Sequence, residues 1–448
     1  MSEIKSIFIC RNCDAQHPKW SGRCLECGAW GTLTEEIRDT HSQKQVLAKK
    51  VGGTEIINLK TIKEKSLPRL LTNISEIDRV LGGGLVPGSL ILLSGEPGVG
   101  KSTLVAQIIE AVTKKARAVY VSGEESASQV KARLDRLNCS VEKIGFIAET
   151  NVEKIITTIS QDQPEVLVVD SIQTVYSSLV PAEAGNISQI RAAAVKFLEL
   201  AKGNNIAVIL IGHITKDGQI AGPKSLEHIV DTVLYLEREI NHNYSLLRAT
   251  KNRFGSINEL GVLEMTNTGF QELSNPSAIF IDEQLGSVPG SVATCVIEGS
   301  RPFLVNIQAL VSKTIFGYPQ RKVSGLDLSR LQVLSAVISK RTKINLVSAD
   351  IILNIVGGLK INDPALDLAS CAAIISSQLN KSFPSDTVVL GEVGLGGEVR
   401  SVSRLAERLK EAKRLGYKKA LVPDNAKAIT GLELIKVKEL QDLVKFIA

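Results

Sequence analysis

Residues 95–103 read Gly-Glu-Pro-Gly-Val-Gly-Lys-Ser-Thr and meet the spacing G-x-x-x-x-G-K-[ST]. That spacing carries weight only between a strand and a helix, and both flanks are present. Ser89–Ser94 is a short apolar run that predicts a buried strand, and Leu104–Val112 repeats apolar residues at helical intervals. Gly95, Glu96, Pro97, Gly98, Val99, Gly100, Lys101, Ser102 and Thr103 are therefore candidate residues of a nucleoside triphosphate pocket. Glycines let backbone N–H groups turn inward on phosphates, and a helix N-terminus adds partial positive charge. Lys101 is placed to reach the β- and γ-phosphates, and Ser102 to offer a hydroxyl to Mg²⁺. Upstream, Thr72–Leu85 predicts a short helix running into a glycine turn.

Strand-like and helical runs alternate beyond the loop, which implies an α/β fold with a mostly parallel sheet. Ala118–Ser122 predicts a strand, with Gly-Glu-Glu-Ser at its C-terminal end, the edge where open α/β sheets collect ligands. A carboxylate there can activate the attacking water, so Glu124 is the first candidate and Glu125 the second. Acids favoured by the dipole of a following helix account for the same residues. Val166–Ser171 is an apolar strand ending in Asp170, which suits a residue holding Mg²⁺ through water. Ile206–His213 is a further core strand; His213 is either a sensor of the γ-phosphate or a hydrogen-bonded histidine at the sheet edge.

Four of the seven cysteines lie in the first thirty residues as C-x2-C-x10-C-x2-C. Cys10, Cys13, Cys24 and Cys27 are candidate ligands of a structural zinc ion, because four thiolates close a tetrahedral shell. A module this short needs the metal for much of its folding energy. Trp20 and Trp30 are expected to cover its small core, and His17 and His41 to be solvated. The odd cysteine total argues against a disulfide scaffold. A net charge of +6, from 53 basic against 47 acidic residues, permits a polyanion partner without requiring one. With aromatics at 4%, a grip on single strands would rest on charge more than on stacking. No run approaches a membrane span and no signal-type apolar core opens the chain, so a cytoplasmic location is expected. The expected organisation is a ribbon over 1–35, a polar linker over 36–66, an ATPase domain over 67–275 and a third α/β domain over 285–448.

The order of glycine turn, P-loop, Ser-Gly-Glu-Glu-Ser, Val-Val-Asp-Ser and Gly-His-Ile-Thr-Lys resembles that of RecA-like ATPases. Lys251-Asn252-Arg253-Phe254-Gly255 and the four-cysteine module narrow the resemblance to the RadA/Sms family of bacterial recombination and repair proteins. That likeness implies a DNA-dependent ATPase using ATP, Mg²⁺ and Zn²⁺. It would form a homo-oligomeric ring, most simply a hexamer, that translocates on single-stranded DNA. It would drive branch migration of branched intermediates beside a RecA-type recombinase. It also implies that Lys251 and Arg253 act as fingers on a neighbouring subunit's nucleotide; without the family they read as a solvated turn. In such rings the loops Val175–Ser188 and Thr215–Ser225 face the DNA channel, which makes Lys216, Lys224 and Arg191 candidate phosphate contacts.

In the last third, Asn362–Asp367 and Gly391–Val399 resemble the proteolytic domain of Lon. The places of the Lon serine and lysine hold Ala365 and Ala406, and a methyl group is neither nucleophile nor base. The Lon-protease-like domain is therefore expected to be proteolytically inactive. Two other readings are an ATP-dependent protease and a nucleotide-switched scaffold with negligible turnover. Casein incubated with the protein and ATP should remain intact on gels, and ATP-dependent fragments would favour the protease.

Overall fold

The computed structural model describes residues 5–10, 16–17, 19–25, 28–38, 68–213, 226–238, 244–273, 277, 288–315, 317–356 and 361–448. Two compact units emerge: Met1–Glu237 with Ala249–Gly255 and Met265–Phe270, and Arg238–Arg248 with Ser256–Glu264 and Gln271–Ala448.

The N-terminal module is a small antiparallel sheet. β1 (Lys5–Cys10) pairs with β2 (Gln16–His17) on one side and β3 (Leu33–Arg38) on the other. β3 runs past residue 35, through the expected ribbon–linker boundary. The core holds Cys10, Cys24 and Leu33, with Phe8 packed against them. The tryptophans do not cover it: Trp20 is 63% and Trp30 76% exposed. So small a module cannot enclose an indole, and its interior is built around sulfur. His17 is also not solvated; it is buried, with Nε2 3.4 Å from Cys24 Sγ, because the short β2 strand folds back over the sulfur. His41 and the linker from residue 39 to 67 lie outside the described residues.

α1 (Ser75–Leu81) ends on Gly82, whose φ of 82° gives the left-handed cap that opens the glycine turn. The nucleotide core then runs β4 (Leu90–Gly95), α2 (Lys101–Thr113), β5 (Ala118–Ser122), α3 (Ala127–Arg136) and β6 (Ile144–Ile147). It continues through α4 (Val152–Asp162), β7 (Val166–Asp170), α5 (Ile187–Asn204), β8 (Ala207–Ile211) and β9 (Thr232–Arg238). These strands stand in the order β9-β4-β8-β7-β5-β6, all parallel. The sheet goes on to β10 (Tyr244–Asn252), β11 (Leu260–Thr266) and β12 (Gly269–Glu272); β10 and β11 pair antiparallel. Central strands buried on both faces need continuous apolar runs, and β4, β5, β7 and β8 are buried throughout. α2 buries Lys101, Leu104, Val105, Ile108, Ile109 and Val112, the helical stripe read from the sequence.

The second unit has a mixed sheet. Its elements are β13 (Ser291–Glu298), β14 (Arg301–Lys313), β15 (Arg321–Ser324), α6 (Leu328–Arg341), β16 (Ala349–Ile355) and α7 (Leu366–Leu379). Then come β17 (Thr387–Val389), β18 (Glu392–Val393), β19 (Val399–Arg400), α8 (Leu405–Arg414), β20 (Lys419–Pro423), β21 (Glu433–Val437) and α9 (Leu440–Ile447). The order is β15-β16-β14-β13-β17-β20-β21, with β18 and β19 paired separately. Alternation along β14 sends Phe303, Val305 and Ile307 into one apolar cluster and Leu304 into the other. α7 is buried on every side from Leu366 to Ser376, as an interior helix must be.

In the first unit, the segment between β7 and α5 is pinned from beneath. The Gln189 side chain donates to the carbonyls of Ser177, Val180 and Ala182 and accepts from Ser177 N–H. Glu153 accepts from Ser177 Oγ and pairs with Lys196. Burial disfavours the Glu153 charge, yet the bonds from Lys196 and Ser177 outweigh it and hold the carboxyl down at about 2, against an ordinary 4.5. A depressed folded-state value stabilises the fold above the unfolded value and loses that contribution as pH falls toward the folded one. Glu153→Gln should therefore lower the melting midpoint at pH 7 and flatten its fall between about 4.5 and 2, followed by circular dichroism.

Candidate active site

Parallel pairing brings the candidate residues to one edge. Leu93 of β4 stands level with Ile211 of β8, Ile211 with Asp170 of β7, and Asp170 with Ser122 of β5. The P-loop, Glu124, Asp170 and His213 each sit at or just beyond these ends. One carboxylate or imidazole atom from each of Glu124, Asp170 and His213 lies within 4.8 Å of the others, a grouping able to hold a cation.

Gly95 has φ 156°, and a Cβ there would run into the Leu236 carbonyl of β9, so the loop leaves the sheet where only glycine fits. Lys101 opens α2 and folds back on the loop, donating to the Gly95 and Glu96 carbonyls at 2.9 Å each. Burial lowers the pKa of this ammonium, and the nearby charges of Asp170 and Glu124 oppose that shift. Ser102 and Thr103 follow in the first turn.

Glu124 and Glu125 are not the helix cap. Ser126 caps α3 in a reciprocal box with Gln129, and both acids lie ahead of it. Their surroundings separate them. Glu124 is exposed, accepts from Ser171 Oγ at 2.5 Å and lies 3.8 Å from His213 Nε2. Glu125 is taken by Arg133 of α3 in an ion pair. His213 is half-buried; burial and the Lys101 charge lower its pKa, so the imidazole is neutral near pH 7. Asp170 is buried, accepts a hydrogen bond from the Tyr120 hydroxyl, and precedes a cis peptide to Ser171.

Sequence reasoning missed Tyr120, Arg133 and Ser171. Tyr120 carries the one signal available, a hydroxyl in the otherwise aliphatic start of its strand. Arg133 and Ser171 are brought in only by packing.

Lys251 and Arg253 point away from this chain's own P-loop; Lys251 is half-buried, whereas Arg253 is exposed in the bend that follows β10, as a solvated turn would have it. Lys251 ends β10 and donates to the Glu227 and Val230 carbonyls. Arg253 pairs with the buried Asp231, which also accepts from Lys202 and from Leu90 N–H. Asn252 donates to Val80 O, and Arg69 bridges the Gly82 and Phe254 carbonyls. A Cβ on Gly82 would fall 2.9 Å from Gly255 Cα, and one on Gly255 2.8 Å from Gly82 Cα. Two backbones meet there without side chains, which is why both positions are glycine.

Arg191 is exposed on α5, whereas Lys216 and Lys224 lie outside the described residues, as do Cys13 and Cys27. Cys10 and Cys24, one from each cysteine pair, share one buried cluster, which fits a thiolate-bound metal. In the second unit Ala365 is buried in an apolar cluster and Ala406 is exposed on α8. The neighbouring Asp363 accepts from Arg408 at 2.6 Å and from Ala365 N–H at 3.0 Å. A buried ion pair thus stands beside the place of the Lon serine.

Three family models match the chain: "Rubredoxin metal binding domain" over 8–35, "AAA domain" over 61–219 and "Subunit ChlI of Mg-chelatase" over 306–426. A DNA repair protein RadA from Pseudomonas aeruginosa is 46% identical over 447 residues, covering 98% of each chain. The chain belongs to the RadA family of DNA repair proteins. RadA proteins of Brucella abortus, at 42% with 100% of this chain and 98% of that one covered, and Halalkalibacterium halodurans, at 41% with 99% of each, agree. Among solved structures, the RadB recombinase aligns over 46% of this chain and all of its own, at 20% identity and TM-score 0.38. A second solved structure, of an ATPase domain, aligns over 47% of this chain and 93% of its own, at 14% identity and TM-score 0.42. The architecture is that of the RadA family: a RecA-like P-loop ATPase with an N-terminal zinc ribbon and a C-terminal Lon-like α/β domain. Among the described residues, no helix is long and apolar enough to cross a membrane.

The different settings of the two acids predict different losses. Glu124→Gln should cut steady-state phosphate release roughly 10²-fold or more, the usual worth of a positioned base. Glu125→Gln should cost much less, and equal losses would reverse the order of the two.

Proposed function

We propose that this chain is a DNA-dependent ATPase working as one subunit of a closed ring, most simply a hexamer, on single-stranded and branched DNA in the cytoplasm. Turnover would move the ring along one strand and drive branch migration beside a RecA-type recombinase. The observation that carries this reading is the separation of two halves of one site. Lys101, Glu124, Asp170 and His213 converge at one sheet edge, whereas the described polar contacts of Lys251 and Arg253 run to residues 227–231.

Lys101 releases the loop carbonyls to meet the β- and γ-phosphates, and the glycine-lined N–H groups hold the rest of the chain of phosphates. Ser102 and Asp170 hold Mg²⁺, which when bound neutralises phosphate charge. Glu124 orients the attacking water and takes its proton, held in place by Ser171 Oγ. The neutral His213 beside it contacts the γ-phosphate region without adding a cation. Lys251 and Arg253 of the adjacent subunit supply the positive charge that the transition state needs. Assembly on DNA therefore switches hydrolysis on. Arg191, with Lys216 and Lys224, contributes phosphate contacts in the channel. Cys10, Cys13, Cys24 and Cys27 hold a structural zinc ion, and the Lon-like unit widens the ring without cleaving peptides.

Lys101→Ala should abolish turnover and leave the circular dichroism spectrum unchanged. Lys251→Ala should bind a fluorescent ATP analogue as wild type does but lose stimulation by single-stranded DNA, on the order of 10³-fold where a finger is fully used. ATP hydrolysis measured with and without single-stranded DNA decides the case; a flat wild-type response overturns the reading.

A further inference from the structure

Tyr120 is 1% exposed in β5, and its hydroxyl donates to Asp170 Oδ2 on the neighbouring strand. The reach follows from register: Ser122 stands opposite Asp170, so a long side chain two residues earlier spans the offset. Arg133 completes the arrangement from α3, where Val130 and Leu134 mark the face turned to the protein interior. Its Nη1 lies 3.4 Å from the Tyr120 oxygen and 3.9 Å from Asp170 Oδ2, and its Nη2 pairs with Glu125. The phenol thus accepts from the guanidinium and donates to the carboxylate. Among the described residues Asp170 Oδ1 accepts no hydrogen bond.

We propose that Tyr120 and Arg133 are positioning residues for Asp170. They fix Oδ2, so the carboxylate keeps one orientation and Oδ1 is left for the magnesium–nucleotide complex. Arg133 also restrains Glu125, which leaves the water-activating place to Glu124. The proposal rests on the reading of Asp170 as a magnesium-holding residue. A carboxylate at the end of a strand otherwise turns about its side-chain bonds, and outer partners of such ligands are worth about 10–100-fold in metal affinity. The contacts of the Tyr120 hydroxyl run to Asp170 and Arg133, and those of the Arg133 guanidinium to Tyr120, Asp170 and Glu125, so their loss acts through these carboxylates.

The test uses the full-length protein and a fluorescent ATP analogue titrated with Mg²⁺, alongside binding in EDTA and melting curves. Tyr120→Phe and Arg133→Gln should each raise the Mg²⁺ concentration for half-maximal binding about ten-fold. Binding in EDTA should stay within two-fold of wild type. Asp170→Asn should shift the Mg²⁺ curve at least as far, and adding Tyr120→Phe to it should shift the curve no further. If Asp170→Asn shifts the curve and the other two variants titrate like wild type, the positioning role is overturned and the Asp170 reading survives. If Asp170→Asn itself titrates like wild type, the Asp170 reading fails and the proposal with it. Should Tyr120→Phe not fold, Arg133→Gln decides alone.

Discussion

The parallel register of β5, β7 and β8 is the constraint on which the site depends. Asp170 stands between Ser122 and Ile211, and each neighbouring strand delivers its next polar residue to the same edge. Glu124 arrives after Ser122 and His213 after Ile211, while β4 brings the P-loop alongside. None of the three residues in the acid–imidazole group comes from the same loop, so a slip between any two strands would scatter them. Continuous burial of the four central strands makes such a slip costly, because each would trade apolar contacts for exposed backbone.

A second constraint fixes the end of β10. The end of β10 is tied to α1 by Asn252 and the Gly82–Gly255 approach, and to residues 227–231 by Lys251 and Arg253. This places both cations on a frame built from the glycine turn and β9 rather than on a free loop. Asp231 anchors that frame to β4 through Leu90 N–H, so the end of β10 and the P-loop strand share one buried carboxylate.

In the Lon-like unit the stretch that resembles the Lon motif takes part in packing. Asp363, in the stretch that resembles the Lon motif, accepts from Arg408 and caps the approach to α7 through Ala365 N–H. Ala365 itself lies in an apolar cluster. The buried Arg408 joins Asp363 to the Cys295 carbonyl of β13 and so ties α8 to the sheet.

Local patterns in the chain were enough to name the P-loop, the strands leading to Ser122 and Asp170, a core strand over 206–213 of which 207–211 is observed, and the cysteine pairs, because periodicity and glycine spacing act within a few residues. They misjudged the ribbon, where Trp20 and Trp30 are exposed and His17 is buried, since burial in a module built around sulfur does not follow hydrophobicity. Which of Glu124 and Glu125 is available was decided by Arg133, a residue on the helix that follows them. Tyr120 and Asp170, fifty positions apart in the chain, meet only because their strands pair. Backbone propensity is a local property and the sequence determined it alone; the setting of each charge is a property of neighbours, and only the tertiary structure assigned those.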